Sequence, residues 1–104
     1  MSLHSIRRDA IEIWQAGVAA VRPEQLLPRE LNCTRDRLTV AGETFDLESL
    51  DRIVVVGAGK AGAAMAAAVE QALGPDLCRG KVVGWVNVPE NCVRPLQKIQ
   101  LHAA

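Results

Sequence analysis

Residues 52–68 read RIVVVGAGKAGAAMAAA, and no other segment constrains the fold as tightly. Ile53 to Val56 is an unbroken β-branched run that ends at a glycine. Such a run suits a strand buried on both faces, the situation found in parallel sheets. Residues 60–73, KAGAAMAAAVEQAL, are rich in alanine, the best helix former, and place Met65, Val69 and Leu73 on one stripe. Gly74 and Pro75 then stop the predicted helix. KVVGWVNV at 81–88 reads as a second strand, and LQKIQLHA at 96–103, where Ile99 and Leu101 alternate, as a third. Strand, helix and strand in that order begin a doubly wound α/β sheet.

The turn between strand and helix reads Gly57-Ala58-Gly59-Lys60-Ala61-Gly62 and satisfies G-x-G-x-x-G in its proper setting. Gly57 permits a tight turn off the strand, Gly59 lets a ligand approach the backbone, and Gly62 lets the helix pack close to the strand. Free N–H groups at a helix N-terminus favour an anion, usually a phosphate. The same loop also serves as a tight turn with no ligand. It is not a P-loop, which needs Gly-Lys-Ser/Thr after a longer stretch. Lys60 is the informative residue. A cation in the first turn of a helix opposes the macrodipole by ~0.3–1 kcal/mol. A bound anion would offset that repulsion, whereas a nicotinamide-binding loop has no need of a lysine there.

Upstream, residues 5–21 form an amphipathic helix, with Ile6, Ala10, Ile13, Trp14, Gly17, Val18 and Val21 at helical spacing and Ser5 as its expected N-cap. RPEQLLPREL reads as a loop or short helical turn between two prolines. Leu38 and Val40, then Phe45 and Leu47, flank Ala41-Gly42 as a small β-hairpin.

At 104 residues the chain fits one small domain. Its core must come from Val, Leu, Ile and Ala, because aromatics make up only 3%. Twelve basic and 12 acidic side chains balance to a net charge of zero, which argues against nucleic acid or an anionic membrane as a partner. No apolar run reaches membrane-spanning length, and no secretory h-region follows the N-terminus. Cys33, Cys78 and Cys92 match neither a disulfide framework nor a zinc spacing, so a reducing, cytoplasmic setting is expected and no metal ligands are assigned.

Other polar residues say less. A dinucleotide site usually carries an acid about 20 residues beyond the loop. The nearest candidate, Glu90, comes late, which weakens a dehydrogenase reading. His102 ends the third strand, and Arg94 and Lys98 lie near its start, but nothing in the sequence selects them.

DRIVVVGAGKAGAAMAAAVEQALG, with GKVVGWVNV and PLQKIQL after it, resembles the N-terminal region of type II glycerate kinases, some of which have been labelled hydroxypyruvate reductases. The likeness runs from the first helix to the third strand. It implies transfer of phosphate from ATP, with Mg²⁺, to the 2-hydroxyl of D-glycerate. It also implies a Rossmann-like domain facing a second α/β domain. The family's active-site lysine falls in the G-A-G-K-A stretch and carries over to Lys60, so Lys60 is the expected catalytic residue. Gly57, Ala58, Gly59, Lys60, Ala61 and Gly62 are the expected phosphate- or substrate-binding residues. Many members follow the second strand with a Tyr-Gly-His-like stretch and the third with Gly-His-Pro; here the corresponding residues are VPEN and LHAA.

The resulting expectation is an incomplete Rossmann-like α/β domain: a short parallel sheet, flanking helices and a small β-hairpin. Residues 1–104 are read as its N-terminal part, with the second domain absent and no catalysis by the fragment alone. An uncovered sheet face or edge would favour self-association into a homo-oligomer. Two alternatives stand beside the kinase: an NAD(P)-dependent hydroxypyruvate reductase fragment, and a non-catalytic module that binds a nucleotide or a partner.

Overall fold

The computed structural model describes residues 2–104. Helix α1 spans Leu3–Ala20 and is capped by Ser2, whose Oγ accepts the N–H of Ser5 at 3.1 Å. The cap therefore lies three residues before the expected Ser5, because a serine hydroxyl outside the first turn reaches the N–H three positions on. No residue of α1 is buried. Its apolar stripe, including Ile6, Ile13 and Trp14, faces outward, and the molecule is 61 Å long.

Helix α2 (Pro23–Glu30) occupies the stretch expected to be a loop or short turn, with Pro23 in its first turn. Proline is suited to that position, since the N–H it lacks has no partner in a first turn. Strands β1 (Leu31–Cys33), β2 (Arg37–Val40) and β3 (Glu43–Asp46) form an antiparallel sheet in that order. The predicted hairpin is β2–β3. Its Ala41-Gly42 turn has φ of 49° and 85°, positive at both central residues, as in the tight turns that match strand twist. Leu47 falls outside β3, in a 3-10 turn over Leu47–Ser49, and is buried in the core.

Strand β4 (Ile53–Ala58) leads through the glycine loop into helix α3 (Gly62–Leu73). Gly74 ends α3, and Pro75 opens a further helix, α4 (Pro75–Lys81), which the Gly-Pro stop signal concealed. The Lys81 ammonium donates to the carbonyl oxygens of Leu47 and Leu50, the latter at 2.6 Å, and so ties the end of α4 to the 3-10 turn. Strands β5 (Val82–Val88) and β6 (Ile99–Ala103) complete a parallel sheet of order β4-β5-β6.

Ala63, Ala66 and Leu73 of α3 join Val82, Val86, Val88 and Ile99 in one buried cluster that also includes Leu38 and Leu47. Of the stripe Met65, Val69 and Leu73, Met65 is exposed and Leu73 buried; Ala63 and Ala66 pack against the sheet, which lets the helix lie close to it. Strand β6 begins later than predicted. The Glu70 carboxylate accepts the N–H groups of Gln97, Lys98 and Ile99 at 2.6–2.8 Å and replaces the sheet ladder at its start. One parallel sheet with helices on a single face is an incomplete Rossmann-like unit, as the sequence predicts.

Candidate functional site

The glycine loop leaves the carboxyl end of β4, where α/β sheets bind their ligands. Ala58 pairs with Asn87 in the sheet, and the Gly59 N–H donates to the Asn87 carbonyl at 3.0 Å. Gly59 has φ of 130°, a conformation that side-chain-bearing residues rarely adopt. The Gly62 N–H then donates to the Gly59 carbonyl at 3.1 Å and closes a tight turn. Lys60 and Ala61 occupy the corner of that turn.

Helix α3 therefore starts two residues later than the sequence implied. Ala61 is its N-cap and Lys60 stands one position outside it. The physical cause is the pair of hydrogen bonds at Gly59, which holds the chain in a turn before the helix can begin. Lys60 thus lies beyond the positive end of the helix and not within its first turn. The helix dipole still opposes a cation there, since its field is strongest at the terminus.

The three glycines differ in what surrounds them. A Cβ on Gly59 would meet nothing within 4 Å. A Cβ on Gly62 would lie 2.8 Å from Val86 Cγ1 and 2.9 Å from Val88 Cγ1. Gly62 therefore serves helix–strand packing, and Gly59 leaves open space beside the turn. Gly57 has only ordinary contact, at 3.7 Å from Val86. The N–H groups of Lys60, Ala61, Ala63 and Ala64 take no protein acceptor among the described residues. That is the usual condition of a helix N-terminus, and it leaves donors for an anion.

A cavity of about 460 Å³ opens at this turn. All six loop residues, Gly57 to Gly62, line it, and Met65 and Val69 of α3 continue it along β4. Lys60 is exposed and also borders a second hollow of about 290 Å³ with Asn91, Cys92 and Arg94. Arg94 reaches this place because its guanidinium donates to the Ala63 carbonyl at 3.4 Å, on the first turn of α3. The sequence left Arg94 unselected; only the path of the β5–β6 connection brings it beside Lys60. Asn87 was also missed. Its position at the end of the second strand was the available signal, since that is where the loop must be anchored.

The remaining candidates lie elsewhere. His102 is on the opposite face of the sheet, its ring centroid 4.9 Å from that of Trp85. Glu90 begins a 3-10 turn after β5 and is exposed. Lys98 contributes its backbone N–H to Glu70. Among the described residues no group of His, Cys, Asp or Glu could hold a metal. No described helix is long and apolar enough to cross a membrane.

Comparison with known proteins bears on the family and the fold. The chain is 34% identical over 80 residues to a glycerate kinase from Danio rerio, a match covering 77% of this chain and 16% of that protein. Its fold matches the crystal structure of the PH0495 protein from Pyrococcus horikoshii OT3, with a TM-score of 0.70 and 21% identity, over 95% of this chain and 21% of that one. The chain thus spans less than a quarter of the length of either relative. Residues 9–104 match the family described as a domain of unknown function, DUF4147. The chain is similar over part of its length to a glycerate kinase, and it belongs to the DUF4147 family.

Proposed function

We propose that this chain is the N-terminal part of an ATP-dependent glycerate 2-kinase and supplies that enzyme's phosphate-binding loop and one catalytic cation, Lys60. The observation that carries this reading is the turn at Gly59–Gly62: Lys60 and Ala61, whose backbone N–H groups are unpartnered, border one open cavity together with the three loop glycines. The 34% identity to a glycerate kinase supports the choice of reaction.

A phosphate fits these residues. The space beside Gly59 is clear of side chains, and every free donor in the turn matches an anionic oxygen. When bound, ATP supplies the phosphoryl group, which passes to the 2-hydroxyl of D-glycerate to give 2-phosphoglycerate and ADP. The backbone donors of the turn hold the anion in register with the carboxyl end of β4. The Lys60 ammonium stabilises charge on the phosphoryl oxygens or on the glycerate carboxylate. Arg94, across the first turn of α3, adds a second cation on the same side. A Mg²⁺ ion finds no ligand set among the described residues. In this proposal its ligands come from the second domain of the whole enzyme, and the isolated chain does not turn over.

The test is the whole enzyme assayed with ATP, Mg²⁺ and D-glycerate, with 2-phosphoglycerate as the measured product. Formation of product without NADH oxidation supports the reading. Hydride transfer from NADH to hydroxypyruvate, with no ATP-dependent product, replaces it with a reductase.

A further inference from the structure

Lys60 alone among the described residues borders both the glycine-loop cavity, of about 460 Å³, and the smaller hollow of about 290 Å³ beside the first turn of α3. The smaller hollow is lined by two cations, Lys60 and Arg94, and by no carboxylate. Neither cation has an ion-pair partner among the described residues, where Arg79–Asp76 is the single pair. Glu90, next in sequence to this wall, is exposed and does not line it. Two like charges around one space repel each other, and an anion between them removes the repulsion.

The two cations suit different oxygens. The bond from Arg94 to the Ala63 carbonyl, at 3.4 Å, occupies one of the five N–H donors of its guanidinium and leaves the others free. A planar fork of donors matches the two oxygens of a carboxylate, whereas an ammonium is a point charge that serves a phosphoryl oxygen from several directions. The larger cavity, bordered by the free N–H groups of Lys60 and Ala61, is the one furnished for phosphate. That leaves the hollow at Arg94 for a different anion.

We propose that the hollow between Lys60 and Arg94 receives the carboxylate of a small 2-hydroxy acid, and that Arg94 is the residue that selects for it. The proposal rests on the kinase reading for the identity of the acid, D-glycerate. In a 2-hydroxy acid the reacting oxygen sits on the carbon bonded to the carboxyl group. An acid anchored by Arg94 therefore keeps that oxygen beside Lys60, the residue shared with the phosphate cavity. Glycerol has the same hydroxyl chemistry but no charge, and offers Arg94 nothing to hold.

The experiment uses the complete polypeptide encoded by the gene. Calorimetry measures binding of D-glycerate, glycerol and ADP to the unaltered protein, Arg94→Gln and Arg94→Lys, and steady-state assays give KM for glycerate and for ATP. Gln keeps a donor for the Ala63 carbonyl and removes the charge. Arg94→Gln should weaken D-glycerate at least about tenfold and raise its KM to match, the usual effect of losing a charged hydrogen bond. ADP affinity, KM for ATP and Tm should stay close to those of the unaltered protein, Arg94→Lys should recover part of the loss, and glycerol should bind no variant better than another. Unchanged glycerate affinity overturns the proposal. So does equal weakening of glycerate and ADP, which assigns Arg94 to a nucleotide phosphate, and so does weakening that comes with a lowered Tm in both variants, which makes Arg94 structural. Binding is read without turnover, so the two readings fail separately. Glycerate held through Arg94 by a protein that forms no 2-phosphoglycerate strikes the kinase reading and keeps the subsite. Product formed by Arg94→Gln with an unaltered KM for glycerate strikes the subsite and keeps the kinase.

Discussion

The N–H of Gly59 donates to the carbonyl of Asn87 at 3.0 Å, so the end of β5 holds the glycine loop that leaves β4. The bond fixes Gly59 at φ of 130° with open space where a side chain would stand. Conformation and crowding are therefore separable in this loop. Gly59→Ala meets no neighbour, yet forces alanine into a backbone region it resists, at a cost of about 1–3 kcal/mol. Thermal unfolding should show that loss. A Tm equal to that of the unaltered chain would mean the turn relaxes freely.

Gly62→Ala tests crowding alone. The added methyl would press on Val86 and Val88 at 2.8 and 2.9 Å, and overpacking of this kind costs about 1–3 kcal/mol. Gly57→Ala, with its nearest contact at 3.7 Å, is the internal control and should stay within about 0.5 kcal/mol. Denaturant unfolding of the two variants ranks them, and equal midpoints would refute the packing role assigned to Gly62.

Glu70 is a tether between α3 and β6. Its carboxylate accepts three successive backbone N–H groups, at Gln97, Lys98 and Ile99. Glu70→Ala leaves those donors without their partner and should destabilise the chain by about 2 kcal/mol, a part-exposed site reducing the full value of three charged hydrogen bonds. Amide exchange at residues 97–99 should accelerate more than exchange within β5. Uniform acceleration across the sheet would contradict a local tether.

Burial raises the Cys78 thiol above its ordinary value of 9.0, and the charge of Glu70 adds to the rise. Cys33 and Cys92 are only partly buried. A thiol reagent at pH 8 should therefore modify Cys33 and Cys92 at least about tenfold faster than Cys78. Because the folded state holds this proton more tightly than the unfolded chain, the associated stability is complete below about pH 8.5 and declines as pH rises further. Tm should fall between pH 8 and 10 more steeply in the unaltered chain than in Cys78→Ala. Three equal modification rates would show that Cys78 is not enclosed.

Much of the fold is legible in the sequence because strong local signals agree with their tertiary settings. The β-branched run Ile53–Val56, the glycine loop and the alanine-rich segment after it give the expected strand, turn and helix, although the helix begins two residues late and Val54 and Val56 are exposed rather than buried. The elements that escaped notice are short or depend on distant partners. Strand β1 has three residues, too few for its alternation to stand out. Helix α4 begins at the same Gly-Pro pair that ends α3, so one signal had two meanings. The late start of β6 depends on Glu70, 27 residues away in sequence, and the displacement of Lys60 from α3 depends on Asn87. Arg94 joins Lys60 only through the path of a connection that carries no periodic pattern.

On the proposed reading the Lys60 ammonium meets an anion at the mouth of the glycine loop. The most direct measurement is turnover of the complete enzyme, with ATP, Mg²⁺ and D-glycerate, in the Lys60→Met variant. Because Lys60 is exposed and outside α3, the variant should keep its Tm. Its kcat/KM should fall by about 10²-fold or more, the usual effect of losing one charge-stabilising donor. A folded variant that phosphorylates glycerate within twofold of the unaltered rate would contradict it.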